Sequence, residues 1–286
     1  MGRLSMTPTL VRQHLPQAGP SPRADRGARA RDWSEIQERM LVPLYEAVYE
    51  RLEVGPGTRV LGLGCGSGLA LLMAASRGAA LTGVESASPE RLALARERLL
   101  PEGRPARART DARLVQGAPG EAAGARSPAY TLVTAFEPIG ALAGDAERLT
   151  ASLAAAVPLA RRGAAVVLVG WGAPGRCATT AVLRAAAREN EPPRWRPPLR
   201  DDLERVAERA GLAPDGSGRV ACPFGYAGVD SAVRGLLSTG LFDEAAAGTD
   251  AAQVDKELAE ALHPYQRRDG TVWMPNVFRY LVARVP

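Results

Sequence analysis

Short aliphatic runs alternate along the chain with longer stretches in which apolar residues recur every three or four positions. The run Arg59–Leu63 predicts a buried strand, and the apolar stretch Leu69–Ser76 that follows predicts a helix. Residues 80–84 predict a second strand of the same kind. Strands that alternate with helices in this way are typical of an α/β fold with a doubly wound, mostly parallel sheet.

The same alternation predicts further elements on both sides of this segment. Ahead of it, Ser34 is positioned to cap a helix over residues 34–53, in which apolar residues recur every four positions from Ile36 to Leu52. Beyond it we expect another helix over residues 199–210, which Gly211 would end. The alternation of strands and helices continues to about Gly170, and residues 219–222 predict a later strand.

A glycine-rich turn joins the first predicted strand to the helix after it. Gly62, Gly64, Gly66 and Gly68 stand at alternate positions, where a missing Cβ lets the backbone bend sharply and approach a ligand. The helix directs free N–H groups and the positive end of its dipole to the same place. Leu69 stands where a dinucleotide fingerprint needs its third glycine, so the spacing disfavours a nicotinamide-dependent oxidoreductase.

The turn and the strand after it resemble motifs I and II of the class I S-adenosylmethionine (SAM) dependent methyltransferases. The turn reads LGCGSG from Leu63 to Gly68, and Glu85 follows the second strand where a carboxylate would accept hydrogen bonds from a ribose diol. The resemblance covers residues 32–286. Segments 112–119, 129–140 and 160–172 resemble strands three, four and five of the family, and segment 275–285 is similar to the last strand of actinobacterial small-molecule members. It implies a seven-stranded Rossmann-like methyltransferase fold with helical cap insertions.

The resemblance also implies where SAM, the expected cofactor, would bind. The ribose is expected against Glu85 and Ser86, and the adenine against Ala118 and Pro119. Phe136, at the end of the fourth strand, is expected near the sulfonium. The residues expected to hold the methionine part along the turn are Gly62, Leu63, Gly64, Cys65, Gly66 and Gly68.

Three positions depart from the family pattern. The family usually has an acidic residue where this chain has Gly62, often an aspartate where it has Ala118, and an aspartate where it has Thr131. Each polar group of SAM that is buried without a partner would cost about 1–3 kcal/mol. The departures therefore support a rival hypothesis, a degenerate SAM fold that regulates or scaffolds and has little or no methyltransferase activity.

Two residues are candidates for acid–base chemistry on an acceptor. His263 is the single histidine in residues 32–286, and histidine is the commonest base near neutral pH. The alternative for His263 is a surface position at a helix C-terminus. Glu137 follows the fourth strand, where a carboxylate could remove a proton or attract the sulfonium. Its alternative is a helix-initiating carboxylate ahead of Pro138.

Residues 172–198 and 223–276 exceed the length that connections in a compact domain need. We expect both to cap the carboxyl ends of the strands, where ligands bind in α/β folds. Aromatic residues in and near these segments predict a mainly apolar acceptor pocket, and the alternative is that they form the core that holds the cap on the domain. The expected acceptor-binding residues are Trp33, Trp171, Phe224, Tyr226 and Trp273.

Composition narrows the class of protein. The chain has 286 residues, of which 46% are hydrophobic and 23% charged, as in ordinary soluble globular proteins. No run reaches the roughly 18 apolar residues of a membrane span, and the N-terminus lacks the apolar core of a secretory signal. We therefore expect a cytoplasmic protein that does not bind membranes. Three cysteines without metal-ligand spacing predict reduced thiols and no metal site.

The excess positive charge is confined to the N-terminal end. Residues 1–31 contain six arginines and one aspartate, which accounts for the whole formal net charge of +5. We expect these residues to form a disordered basic tail ahead of a neutral methyltransferase domain, residues 32–286. The neutral domain disfavours a nucleic-acid methyltransferase, because binding of nucleic acid depends on clustered positive charge.

These features together predict a class I methyltransferase that uses SAM to methylate a small, mainly apolar metabolite. The resemblance implies secondary metabolism as its setting. The expected partner is the small-molecule acceptor, and a homodimer is compatible with the chain. The sequence leaves open whether oxygen, nitrogen or carbon is methylated.

Overall fold

A computed structural model describes residues 26–101, 112–123, 130–186, 195–243 and 251–286. Within these residues the strands are β1 (Arg59–Leu63), β2 (Ala80–Glu85), β3 (Ala112–Gln116), β4 (Tyr130–Ile139), β5 (Ala160–Trp171), β6 (Ala213–Ala221), β7 (Phe224–Tyr226), β8 (Val272–Met274) and β9 (Val277–Arg284). The α-helices are α1 (Arg26–Asp32), α2 (Val42–Arg51), α3 (Leu69–Ser76), α4 (Pro89–Leu99), α5 (Asp145–Ala156), α6 (Ala178–Ala186), α7 (Asp202–Arg209), α8 (Val229–Ser238) and α9 (Ala251–Leu262).

Seven strands form one sheet in the order β3-β2-β1-β4-β5-β9-β6. The pairs from β3 to β5 are parallel, whereas β9 runs antiparallel to both β5 and β6. The prediction of a seven-stranded, mostly parallel, doubly wound sheet is confirmed. The strand order reverses between β1 and β4, and ligands of open α/β sheets bind beyond the carboxyl ends of the strands at such a point.

Helices cover both faces of the sheet, so its inner strands are buried on two sides. On β4, Leu132 packs in the core shared with α2 and α3, whereas its neighbour Val133 packs in the core shared with α5 and α7. This alternation is the period of two that a strand imposes on its side chains. The sheet thereby holds the carboxyl ends of β1, β2 and β4 in fixed positions next to one another.

The N-terminal helix differs from the prediction at its start and in its regularity. Helix α1 begins at Arg26, so residues 26–31 are helical rather than part of a disordered tail; residues 1–25 lie outside the described ranges. Ser34 does not cap a helix, because it lies in a π-helical turn that leads through a 3₁₀ turn into α2. Its buried hydroxyl instead accepts a hydrogen bond from Arg98 Nη2 at 2.8 Å.

The two expected cap segments have different structures. In residues 172–198, α6 packs against α9, and the stretch 187–194 lies outside the described residues. Residues 223–276 contain α8 and α9, in keeping with the helical cap that the resemblance implied, and also a two-stranded sheet of β7 and β8 that the pattern did not indicate. Strand β6 begins at residue 213, six positions before its predicted start, because it pairs with β9 along its length.

In the described part of the chain no helix is both long and apolar enough to cross a membrane. The same residues contain no group of three or more His, Cys, Asp or Glu side chains that could hold a metal ion. The three cysteines are free and buried.

Candidate active site

The glycine turn after β1 has a backbone that only glycine adopts easily. Gly64, Gly66 and Gly68 have φ angles of +58°, +56° and +81°. A Cβ on Gly66 would lie 3.0 Å from Trp33 Nε1 and 3.2 Å from Glu38 Oε1. The turn therefore needs glycine for its conformation and for the close approach of these two side chains, which come from the π and 3₁₀ turns between α1 and α2.

Glu85, the last residue of β2, holds this turn in place. Its carboxylate is buried and accepts hydrogen bonds from the backbone N–H groups of Gly66 at 3.0 Å, Ala87 at 2.8 Å and Ser88 at 3.3 Å. An ionised carboxylate can accept about four hydrogen bonds, so acceptor capacity remains for a ligand. The structure places this carboxylate beside the glycine turn, and its contact with a ribose stays a prediction.

Glu38 is a second carboxylate beside the turn, and sequence reasoning missed it. It is 2% exposed and accepts hydrogen bonds from the Ser67 hydroxyl, from Leu69 N at 3.3 Å and from Arg98 Nη1 at 2.8 Å. Helical spacing from Glu38 to Leu41 and Tyr45 was a signal that the three share a face, and all three line the same cavity.

A cavity of about 580 Å³ opens above the carboxyl ends of β1, β2 and β4, within the range of small-molecule sites. It brings together many of the predicted residues. Those that line it are Trp33, Gly62, Leu63, Gly64, Cys65, Gly66, Glu85, Phe136, Glu137, Trp171 and Phe224. Those that do not are Gly68, Ser86, Ala118, Pro119, Tyr226, His263 and Trp273.

Each of these outliers has another structural role or position. A Cβ on Gly68 would lie 3.1 Å from that of Ala95, so this glycine allows α3 and α4 to pack closely. Tyr226 is buried and donates a hydrogen bond to Gln37 Oε1 at 2.9 Å. Trp273 is half-buried, with the guanidinium of Arg267 4.4 Å from its ring centre. Ser86 is exposed on the loop after β2.

The expected adenine contacts are also displaced from the cavity. Ala118 and Pro119 begin a 3₁₀ turn, Pro119–Ala122, at the end of β3. The backbone N–H of Ala118 donates to Glu121 Oε1 at 3.0 Å, so the acid of this loop is directed at the loop itself.

His263 is not brought to the cavity. It is exposed in the one-turn helix His263–Tyr265, at the end of α9. The alternative of a surface histidine at a helix C-terminus therefore describes its position, and Glu137 is the predicted acid–base candidate that lines the cavity.

An irregularity in β4 places Phe136 and Glu137 in the same cavity. Ala135 pairs with Leu168 and Ile139 with Gly170, so three residues of β4 face one residue of β5. Such a bulge redirects side chains that would otherwise alternate between the two faces. Desolvation by the surrounding protein raises the pKa of Glu137, although the residue stays accessible to solvent in the open cavity; Arg91 opposes the shift and the charge of Glu85 adds to it.

Arg91 and the residues of helix α1 line one side of the cavity. The guanidinium of Arg91 lies 4.2 Å from the ring centre of Trp33 and donates to the carbonyl of Ser238 at 2.5 Å. Burial lowers the pKa of Arg91. Arg29 of α1 pairs with Asp243 at 2.5 Å, which joins α1 to the segment after α8.

Aromatic side chains form the opposite end of the cavity. The rings of Trp171 and Phe278 have centres 4.8 Å apart, and those of Phe224 and Phe278 are 6.1 Å apart. Tyr45 packs edge-on against Phe136 at 4.7 Å. A mainly apolar chamber thus adjoins the polar turn.

The residues of the turn are compatible with SAM. The left-handed glycines leave a cradle that side chains would fill, Glu85 retains acceptor capacity, and the buried indole N–H of Trp33 has no partner among the described residues. Position 62 cannot supply the usual acid without rearrangement, because a Cβ there would lie 3.0 Å from Leu71 Cδ2. Glu38 and Glu137 supply carboxylates from other elements.

No protein-family model matches the chain, and no curated protein sequence does. Solved structures match in fold. A candidate methyltransferase from Bacillus halodurans has a TM-score of 0.53 and 13% identity, over 85% of this chain and 98% of its own. A chain from the complex between a Haloferax volcanii methyltransferase activator and a candidate methyltransferase has a TM-score of 0.53 and 16% identity, over 92% and 98%.

A third structure, a candidate sarcosine dimethylglycine methyltransferase from Galdieria sulphuraria, has a TM-score of 0.50 and 12% identity, over 85% of each chain. Identities this low establish the fold and leave the substrate open. The strand order, the glycine turn and these neighbours agree with one another. The chain therefore has the class I fold of the SAM-dependent methyltransferases.

Proposed function

We propose that the protein is a SAM-dependent methyltransferase that acts on a small, mainly apolar metabolite. The observation that carries the proposal is one continuous cavity with two chemically different ends. At one end the glycine turn and Glu85 form a cradle for SAM, and at the other Trp171, Phe224 and Phe278 form an apolar chamber. Strand β4, with Phe136 and Glu137, lies between them in the sheet order.

The cavity residues would have separate roles in cofactor binding and in methyl transfer. Bound SAM would supply the activated methyl group, so the protein must orient the acceptor and accept any proton that it loses. Glu85 and the turn would hold the cofactor. Glu137, when ionised, would attract the positive charge of the sulfonium or take the proton of an acceptor hydroxyl or amine.

The finer parts of the proposal rest on the sequence. Membership of the actinobacterial small-molecule type, a role in secondary metabolism and a cytoplasmic location are extensions of the resemblance, and a homodimer remains compatible with the chain. The three free, buried cysteines support a reducing compartment.

A second candidate is a degenerate SAM fold with a regulatory or scaffolding role. The observations that favour it are the glycine at position 62 and the location of Ala118 outside the cavity. Glu38 and Glu137 weaken it, because both bring carboxylates to the turn from elements where the family pattern does not require them.

The test is isothermal titration of the protein with SAM and with S-adenosylhomocysteine. We expect binding that Glu85→Gln weakens about tenfold or more, because the variant replaces an acceptor-only carboxylate with a neutral amide. Glu97→Gln, an exposed change on α4, is the matched control and should bind like the wild type. Thermal unfolding checks that each variant is folded.

Absence of binding by the folded wild-type protein would favour the scaffold candidate. Binding of both ligands, followed by transfer of labelled methyl groups from SAM to apolar acceptors, would support the enzyme.

A further inference from the structure

Charge is unevenly distributed around the cavity. The described lining residues from β5, β7 and β9 are Trp171, Phe224 and Phe278, all of them uncharged aromatic residues. The charged lining residues come from other elements and are Arg26, Arg29, Glu38, Glu85, Glu90, Arg91, Glu137, Arg148 and Asp243. A charged acceptor group in the aromatic chamber would lose its hydration without gaining a counter-ion, which is strongly unfavourable.

Tyr45 brings a neutral hydrogen-bond donor to the same cavity, beside Phe136. Its side chain lines the cavity and is 3% exposed, and its ring packs against Phe136 at 4.7 Å. Within the described residues its hydroxyl makes no hydrogen bond, whereas the hydroxyl of its neighbour Tyr49 donates to the carbonyl of Ala70 at 2.9 Å. Burial, together with the charge of Glu38, holds the pKa of Tyr45 well above its usual value, so the hydroxyl keeps its proton.

Trp171 adds a second unsatisfied donor. The residue is 6% exposed, and its buried indole N–H has no hydrogen-bond partner among the described residues. Buried donors without partners are rare in folded proteins, since each costs about 1–3 kcal/mol. This buried N–H lines the same cavity as the unpaired hydroxyl of Tyr45, and together they indicate that the ligand supplies the missing acceptors.

We propose that the aromatic end binds an uncharged, mainly apolar acceptor that carries an oxygen atom, and that this oxygen accepts a hydrogen bond from Tyr45. The inference rests on the proposed methyltransferase function and names the class of its acceptor. The aromatic walls fit the apolar body, and the neutral donors select a carbonyl, ether or hydroxyl oxygen over a carboxylate.

Three probes of the same ring size test this selection. They are 2-acetylnaphthalene, which has an acceptor oxygen, 2-ethylnaphthalene, which has none, and 2-naphthoate, which is an anion. Dissociation constants are measured by ligand-observed NMR titration, with and without S-adenosylhomocysteine. We expect the wild type to bind 2-acetylnaphthalene about three- to tenfold more tightly than 2-ethylnaphthalene, as one neutral hydrogen bond would give.

Tyr45→Phe should remove this preference and leave the affinity for 2-ethylnaphthalene unchanged. Tyr49→Phe is the matched control, because it removes a hydroxyl that is already paired and that does not line the cavity. Its three affinities should equal those of the wild type. Stronger binding of 2-naphthoate, no binding of 2-acetylnaphthalene, or an unchanged preference in Tyr45→Phe would overturn the inference.

Titration with S-adenosylhomocysteine separates this inference from the function on which it rests. If the wild type and Tyr45→Phe both bind that ligand but no probe preference exists, the acceptor class is wrong and the methyltransferase proposal stands. If the probe preference exists but neither SAM nor S-adenosylhomocysteine binds, the donor assignment stands and the methyltransferase proposal fails.

Discussion

Of the four glutamates that line the cavity in the described part of the chain, three lie beside the glycine turn, and each comes from a different element. Glu85 ends β2, so its place follows from strand order alone. Glu38 comes from the 3₁₀ turn ahead of α2, and its Oε2 pairs with Arg98 Nη1 at 2.8 Å. Glu137 enters through the bulge in β4. A positively charged sulfonium would meet more negative charge here than the glycine at position 62 suggests.

The raised pKa of Glu137 predicts a pH dependence of stability. Its folded-state pKa exceeds its unfolded value, so the fold favours the protonated form. The stabilising contribution is complete below the ordinary pKa of glutamate and is lost as pH rises through the raised folded value. Glu137→Gln should flatten this decline in the free energy of unfolding, as measured by denaturant titration at a series of pH values. A parallel decline in Glu137→Gln would contradict this assignment.

Ligand binding provides a second test of the ionisation of Glu137. As Glu137 ionises, the affinity for SAM should rise relative to that for S-adenosylhomocysteine, because only SAM carries the sulfonium charge. Glu137→Gln should remove the pH dependence of that ratio, whereas Glu97→Gln on α4 should retain it.

The turn between β1 and α3 is the element on which the site depends most. Glu85 accepts a hydrogen bond from Gly66 N, Glu38 accepts one from Leu69 N, and the indole of Trp33 packs beside Gly66. Restoring the usual acid by Gly62→Asp would require Leu71 to move by a few tenths of an ångström. The side chain of Leu71 thus fills the space that an acidic side chain at position 62 would need.

A single methyl group on the turn should abolish ligand binding. Gly66→Ala forces an alanine into φ +56° and places its Cβ 3.0 Å from Trp33 Nε1. We expect the free energy of unfolding to fall by about 1–3 kcal/mol and binding of S-adenosylhomocysteine to be lost. Denaturant titration and calorimetry measure the two effects. Gly57→Ala, which would meet no atom within 4 Å, is the control, and equal effects of the two changes would disprove the explanation.

At the scale of the whole molecule, α1 and the end of α8 close the same side of the cavity. Arg29 pairs with Asp243, Asp32 of α1 pairs with Arg234 of α8, and Arg91 reaches the carbonyl of Ser238. Helix α1 therefore packs as part of the domain, although the charge pattern predicted that most of it belongs to a disordered tail.

Truncation distinguishes the tail from the helix. A protein that begins at residue 26 should keep the stability and ligand affinity of the full chain, because it retains α1. A protein that begins at residue 33 loses Arg29 and Asp32, and its free energy of unfolding should fall by about 1–3 kcal/mol with weaker binding of S-adenosylhomocysteine. Thermal and denaturant unfolding provide the measurement. Equal stability of the two shortened proteins would show that α1 contributes nothing to the fold.

The sequence by itself determined the sheet and the centre of the site. The apolar runs of β1 and β2, the alternating glycines and Glu85 are local signals, because strand burial and left-handed turns restrict residue type at each position. Those signals carried the resemblance that implied the seven-stranded fold, which is confirmed. They were also sufficient to place the turn beside Glu85, because the carboxyl ends of neighbouring parallel strands meet at one edge.

Only the tertiary structure decided which distant residues complete the site. The spacing of Glu38 and Tyr45 indicates a shared helical face, but no local pattern indicates that this face packs against the glycine turn. His263 had the right chemistry but lies on the surface away from the cavity, whereas the bulge in β4 places Glu137 in the cavity lining. Contacts between elements far apart in the chain depend on packing, and packing is set by the whole fold rather than by any one segment.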